Sequence, residues 1–178
     1  MTIEAVLFDF GNVLASFDYH RALERLGEPR GMSAPEVLRR LNQGGFPEIH
    51  ADYECGRIDC RTLAERVNVI LGWSVPFEEF AVAYQEIFEL NRPIAQLAHD
   101  LKAAGYPLGL GSNTGELHSS WFLREYADLF AMFDHLILSH RVGVKKPDPA
   151  FYDHALSALN VAPHACLFVD DLEEYVQA

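Results

Sequence analysis

Glu4-Ala5-Val6-Leu7-Phe8-Asp9-Phe10-Gly11-Asn12 decides how the rest of the chain is read. Its apolar run has the length and composition of a short buried strand, and it stops at a carboxylate, Asp9. Two later runs have the same form. Pro107-Leu108-Gly109-Leu110-Gly111 stops at Ser112-Asn113-Thr114, and Ala165-Cys166-Leu167-Phe168-Val169 stops at Asp170-Asp171. A further strand is expected over 135–138. Helical patterns over 93–104, 117–130 and 149–159 lie between these runs. Strands alternating with helices of that length build parallel βαβ units, and right-handed crossovers make them a doubly wound α/β sheet.

Between the first strand and position 107 no buried strand pattern recurs. Residues 19–26 are amphipathic and stop at Gly27. Ser33-Ala34-Pro35-Glu36 reads as a capping box. Asp59 is placed to cap a helix carrying Leu63, Val67, Ile70 and Leu71, ended by Gly72. Pro76 opens another helix, with Phe77, Phe80, Ala81, Tyr84, Ile87 and Phe88 as its apolar face. Residues 16–91 are therefore expected to be an all-helical insertion. The division follows: 1–15 and 93–178 form the α/β core, and 16–92 form a helical domain. Gln43-Gly44-Gly45-Phe46 is its least regular piece, a helix connection or a loop dipping toward the site.

Composition narrows the function. The 178 residues carry 14 Lys+Arg against 26 Asp+Glu, a net charge of −12. So acidic a chain has no general electrostatic footprint for nucleic acid or anionic lipid. No window approaches the ~18 apolar residues of a membrane span. The N-terminus lacks the basic start of a secretory signal, so the cytoplasm is the expected compartment. Cys55, Cys60 and Cys166 are too few and too irregular for a disulfide framework or a zinc site. Whether the chain is a monomer or a homodimer the sequence leaves open.

In open parallel sheets, ligands sit outside the carboxyl ends of the strands. Asp9, Ser112-Asn113-Thr114 and Asp170-Asp171 all stand at such ends. Taken singly, each has a plain structural reading as a turn or helix cap, and Lys145-Lys146 as a solvated pair. If the strands are neighbours, together they bring three carboxylates, hydroxyl and amide donors and a lysine to one crevice. Three carboxylates call for a hard divalent cation with oxygen ligands, Mg²⁺. The set suits phosphoryl transfer.

These segments resemble the haloacid dehalogenase superfamily of hydrolases: Val6-Leu7-Phe8-Asp9-Phe10-Gly11-Asn12-Val13, Leu110-Gly111-Ser112-Asn113, Lys145-Lys146-Pro147-Asp148-Pro149 and Leu167-Phe168-Val169-Asp170-Asp171. The nearest branch is that of bacterial sugar-phosphate phosphatases and the phosphatase domain fused to epoxide hydrolases. The resemblance implies that the helical insertion is a small cap, and that Asp9 is a nucleophile forming an aspartyl-phosphate. It implies Mg²⁺ held by Asp9, the carbonyl of Gly11 and Asp170, with Asp171 a direct or indirect ligand. Ser112 and Asn113 would donate hydrogen bonds to the phosphoryl group. The Gly11-Asn12 backbone would approach it closely, since glycine has no side chain in the way. Lys146, directly before Pro147, would balance charge, with Lys145 facing solvent or exchanging roles with it. The implied substrate is a small phosphorylated metabolite such as a sugar phosphate.

One position departs from the pattern. The family's phosphatases place a general acid/base Asp two residues after the nucleophile; here that residue is Gly11. A good leaving group, a substitute carboxylate such as Asp18, a metal-independent 2-haloacid dehalogenase reaction, or a non-catalytic protein would each account for it. The adjacent Asp170-Asp171 pair argues against the dehalogenase. Nine of the eleven Arg residues fall within 21–92, and most are expected on solvated helix faces, with Arg39 or Arg40 a candidate anion holder. The chain stops seven residues after Asp171, where the family continues with a helix and a strand, so a missing C-terminal edge is expected.

Overall fold

The computed structural model describes residues 2–177. Strand β1 (Ala5–Phe8) leads into a two-stranded ribbon partner, β2 (Ala15–Phe17). Five helices follow: α1 (Tyr19–Gly27), α2 (Ala34–Gln43), α3 (Phe46–Glu54), α4 (Cys60–Leu71) and α5 (Phe77–Gln85). Strand β3 (Phe88–Leu90) returns antiparallel to β2, with Ser16 opposite Glu89 and Phe17 opposite Phe88. The alternating part comprises α6 (Arg92–Ala103), β4 (Leu108–Ser112), α7 (Glu116–Glu125), α8 (Ala127–Phe130), β5 (His135–Leu138) and α9 (Ser139–Val142). Then come α10 (Pro149–Leu159), β6 (Cys166–Val169) and a closing turn, α11 (Glu173–Val176).

The sheet is parallel, with strand order β5-β4-β1-β6. The chain steps outward from β1 to β4 and β5, then crosses back to place β6 on the other side of β1. That reversal opens a crevice at the carboxyl end of β1. Alternate residues of β1 serve opposite faces. Val6 and Phe8 pack with Phe10, Leu108, Leu110, Phe122 and Phe130. Ala5 and Leu7 pack with Ile137, Phe151, Ala155 and Leu159. In β4 the glycines allow α10 to approach. A Cβ at Gly109 would lie 3.1 Å from Leu159, and one at Gly111 would lie 3.3 Å from Phe151.

Helices α1–α5 share a third apolar cluster, around Leu26, Val37, Tyr53, Leu63, Val67 and Tyr84, which Leu117 of α7 joins from the sheet side. Asp59 caps α4 through the Thr62 amide at 2.7 Å, and Gly72 ends it in the left-handed conformation at φ 68°, both as expected.

Three expectations need correction. The insertion is not all helical, because α5 ends at Gln85 and Phe88 lies in β3 rather than on the α5 face. The turn at Glu86 (φ −91°, ψ 58°) has no glycine or proline to mark it, and Ile87 and Phe88 fit a helical spacing equally well. The capping box does not form: Ser33 makes no side-chain cap, and Glu36 is drawn to Arg39 and Arg40 instead. Those two arginines are thereby paired on an exposed face. The single helix expected over 117–130 breaks at Tyr126 into α7 and α8. The Gly44-Gly45 junction joins α2 to α3 and does not line the crevice; α3 starts at Phe46-Pro47. The three cysteines are unpaired among the described residues. No helix among them is long and apolar enough to cross a membrane.

Candidate active site

Phe8 of β1 pairs with Val169 of β6 and with Leu110 of β4. The residues that follow these strands are therefore neighbours. The Asp9 amide donates to the Val169 carbonyl at 2.9 Å, continuing the ladder one step past the strand. Asp9 is buried, 8% exposed, and Lys146 more so, 1% exposed. The Lys146 ammonium donates to Asp9 Oδ1 at 2.8 Å and to Asp170 Oδ2 at 2.6 Å. Both carboxylates are thus tied to a single buried cation. Burial raises the Asp9 carboxyl to about 6, against the pull of Lys146, while the neighbouring Asp170 adds to the rise.

Lys146 is positioned by its backbone. Its amide donates to Asn113 Oδ1 at 2.8 Å, and its carbonyl accepts from Asn113 Nδ2 at 3.0 Å. The rings of Phe168 and Tyr175 lie 5.4 and 5.1 Å from the ammonium. Asp170 Oδ1 accepts from the Leu172 amide at 2.9 Å, which shapes the turn after β6. Asp171 is exposed, and its Oδ2 accepts from Asn12 Nδ2 at 3.1 Å. Asn12 itself sits in the left-handed region at φ 55°, a conformation that asparagine tolerates better than most residues.

Carboxylate oxygens of Asp9, Asp170 and Asp171 all lie within 4.8 Å of one another. Three carboxylates face one ammonium in this cluster, a donor set made for a hard cation. The cleft above them is lined by Asp9, Gly11, Asn12, Asn113, Lys146 and Asp171 from the expected set. Phe17, Glu54, Leu172 and Tyr175 complete it.

A family model of haloacid dehalogenase-like hydrolases matches residues 3–178. The chain belongs to this family. The haloacid dehalogenase-like hydrolase is 30% identical to a phosphatase of Mycobacterium tuberculosis, over 99% of this chain and 82% of that one. It is 29% identical to the bifunctional epoxide hydrolase 2 of Sus scrofa over 99% of this chain but only 34% of that protein. A HAD family enzyme of Bacteroides thetaiotaomicron, solved with magnesium and inorganic phosphate, shares its fold at a TM-score of 0.82 and 21% identity, covering 98% of this chain and 88% of that one.

Of the residues expected in the hydrolase's site, Ser112 closes β4, buried beside Asn113. The Asn113 side chain is engaged within the protein: its oxygen accepts from the Lys146 amide, and its nitrogen donates to the Lys146 carbonyl and to the Tyr175 hydroxyl at 3.3 Å. Asp18 is exposed and caps α1, its Oδ1 accepting from the His20 amide at 2.9 Å. It does not line the cleft. Gly11 does, under the ring of Phe17: a Cβ at Gly11 would lie 2.9 Å from Phe17 Cε1. Lys145 is half-buried rather than fully solvated; it pairs with Glu54 Oε2 at 2.7 Å. Glu54 and Tyr175 are the residues that the sequence reading missed. The Phe46-Pro47 start of α3 was a signal for the first, since proline favours the opening turn of a helix. Nothing in the sequence pointed to the second, which reaches the cleft only through the last turn of the chain.

Proposed function

We propose that this hydrolase is a phosphomonoesterase that requires a divalent cation, Mg²⁺ by the chemistry of its donors, and acts on a small phosphorylated metabolite. The observation that carries the reading is the buried Lys146 ammonium shared by Asp9 and Asp170. A phosphate dianion entering a cleft of three carboxylates and one lysine needs further positive charge. Asp9, Asp170, Asp171 and the Gly11 carbonyl would hold the cation, which when bound neutralises the carboxylates and draws charge from the phosphoryl oxygens.

Asp9 attacks phosphorus through the oxygen not held by Lys146, forming the P–O bond of an aspartyl-phosphate as the bond to the substrate's oxygen breaks. Lys146 holds Asp9 in place and meets the charge that grows on the phosphoryl oxygens. The Ser112 hydroxyl and the Gly11-Asn12 backbone supply the remaining donors, whereas Asn113 acts through Lys146. Water then hydrolyses the acyl phosphate and regenerates Asp9. We assign the proton transfers expected of Asp18 to Glu54, the carboxylate that lines the cleft from α3. Residues 16–92, with the β2–β3 ribbon at their neck, serve as the cap.

A sugar phosphate is the finer expectation, and the lining gives it little support. The Asn113 amide is spent within the protein, and Phe17 and Leu172 are apolar. A haloacid dehalogenase reaction on the same Asp9 would bring a carboxylate substrate to three carboxylates with only Lys146 to receive it.

A panel of phosphomonoesters assayed with Mg²⁺ and with EDTA tests this reading. Turnover should depend on the cation, and Asp9→Asn should reduce it by at least about 10³-fold with the fold intact. Glu54→Gln should slow esters of poor leaving groups more than acetyl phosphate. Turnover of 2-chloropropionate without metal, or full activity in Asp9→Asn, would refute it.

A further inference from the structure

The helical bundle contains a partly open cavity of about 200 Å³, lined mainly by apolar side chains of α1–α5, among them Leu26, Val37, Leu41 and Phe80. An apolar cavity of about 150 Å³ holds a benzene molecule, so this one suits a substituted ring or a short chain. Its polar lining groups are Tyr19, Asn42, His50 and Tyr84. The Tyr84 ring is clamped between Phe80 (5.3 Å, 15°) and His118 (4.3 Å, 9°). Among the described residues, the Tyr84 hydroxyl is the one buried side-chain polar atom without a hydrogen-bond partner. Burial keeps that hydroxyl protonated, with the Tyr19 hydroxyl as its facing polar neighbour.

Two pairs of side chains stand between the cavity and the Asp9 cleft. On the cavity side they are Tyr19 and His50; on the cleft side they are Phe17 and Glu54. The Tyr19 ring stands edge-on to Phe17 at 5.5 Å, and His50 Nδ1 lies 3.7 Å from Glu54 Oε1. Tyr19 and His50 meet only at 3.5 Å, a long contact at the limit of a hydrogen bond.

We propose that this cavity receives the organic part of the substrate, so that the enzyme's preferred substrates are phosphate monoesters of apolar alcohols or phenols. The proposal rests on the phosphatase reading of the Asp9 cleft. The phosphate sits at Asp9 and Lys146, and the hydrocarbon passes between Tyr19 and His50 into the bundle. A single oxygen on the hydrocarbon meets the Tyr84 hydroxyl. A polyol in the same place would leave its hydroxyls unpartnered among Leu26, Val37, Leu41 and Phe80, which disfavours it strongly.

The test is kcat/KM, with Mg²⁺, for methyl, propyl and pentyl phosphate and for glycerol phosphate. Each added methylene should raise kcat/KM by about threefold to fourfold. Propyl phosphate should exceed glycerol phosphate at least tenfold. Val37→Phe and Leu41→Phe, which fill the cavity, should lower the ratio of pentyl to methyl phosphate toward one. A flat alkyl series, or preference for glycerol phosphate, overturns the proposal while leaving the phosphatase reading intact. If no ester at all is hydrolysed, the phosphatase reading fails. The cavity is then judged by calorimetric titration with pentan-1-ol, which should bind the wild type and not Leu41→Phe. Absence of binding to the wild type overturns it.

Discussion

Lys146 ties the two central carboxylates, Asp9 and Asp170, to one cation. Its ammonium is nearly inaccessible and bonds two carboxylates, so replacing it with methionine leaves Asp9 and Asp170 buried without their cation. Removing one partner of a buried pair costs about 3–5 kcal/mol. Urea unfolding of Lys146→Met should show a loss of that size, part of which Mg²⁺ recovers; a loss under about 1 kcal/mol would show that the pair is not structural. His118 offers a different lever. It is buried against Tyr84, its Nε2 2.9 Å from the Tyr84 carbonyl, and burial depresses it from 6.5 to about 3. Between those values the unfolded chain binds a proton that the folded chain refuses. Stability therefore falls as pH drops from 6.5 toward 3, by up to about 1.4 kcal/mol per pH unit from this group. His118→Gln should flatten that acid limb in unfolding curves measured from pH 7 to 4. An unchanged slope would remove His118 as its source.

At the scale of elements, the joint between the helical bundle and the sheet is made by the end of α3 and the start of α7. The Tyr53 hydroxyl accepts from the Leu117 amide at 2.7 Å, meeting a donor at the N-terminus of α7. Its ring rests on Gly115, where any Cβ would run into it. Gly115→Ala should therefore displace α3, break the Glu54–Lys145 pair and make the ribbon at 15–17 and 88–90 more open to proteolysis. Limited digestion that matched the wild type would show that the ring can yield. This joint also marks the edge of what the sequence made legible. The four sheet strands and their terminal residues Asp9, Ser112 and Asp170 announce themselves, because a continuous apolar run ending in a polar residue is a local pattern. Glu54, Tyr53 and Tyr175 reach their places through packing between elements distant in sequence. The misread stretch at 86–90 failed for a related reason: Phe88 joins β3 because Phe17 lies opposite it, a partner no local pattern reveals.

Across the whole molecule, the net charge of −12 and the carboxylate cluster point the same way: an anion must be drawn into an acidic protein. Lys146 answers only part of that need, because its ammonium already serves two oxygens. This has a consequence for how ligands speak to each other. Were Asp170 to ligate a cation, Lys146 would be released toward an incoming phosphate, and Lys146 engaged by phosphate would leave Asp170 freer to ligate. The two bindings are then heterotropically coupled, and linkage requires that each tighten the other by the same factor. Calorimetry should find the Kd of inorganic phosphate lowered by Mg²⁺ by about five-fold to 150-fold, and the Kd of Mg²⁺ lowered equally by phosphate. Equal affinities in the presence and absence of the other ligand would mean that Lys146 never changes hands. Where the coupling holds, the protein binds bare phosphate weakly until the metal is in place, and the shared lysine is the arbiter.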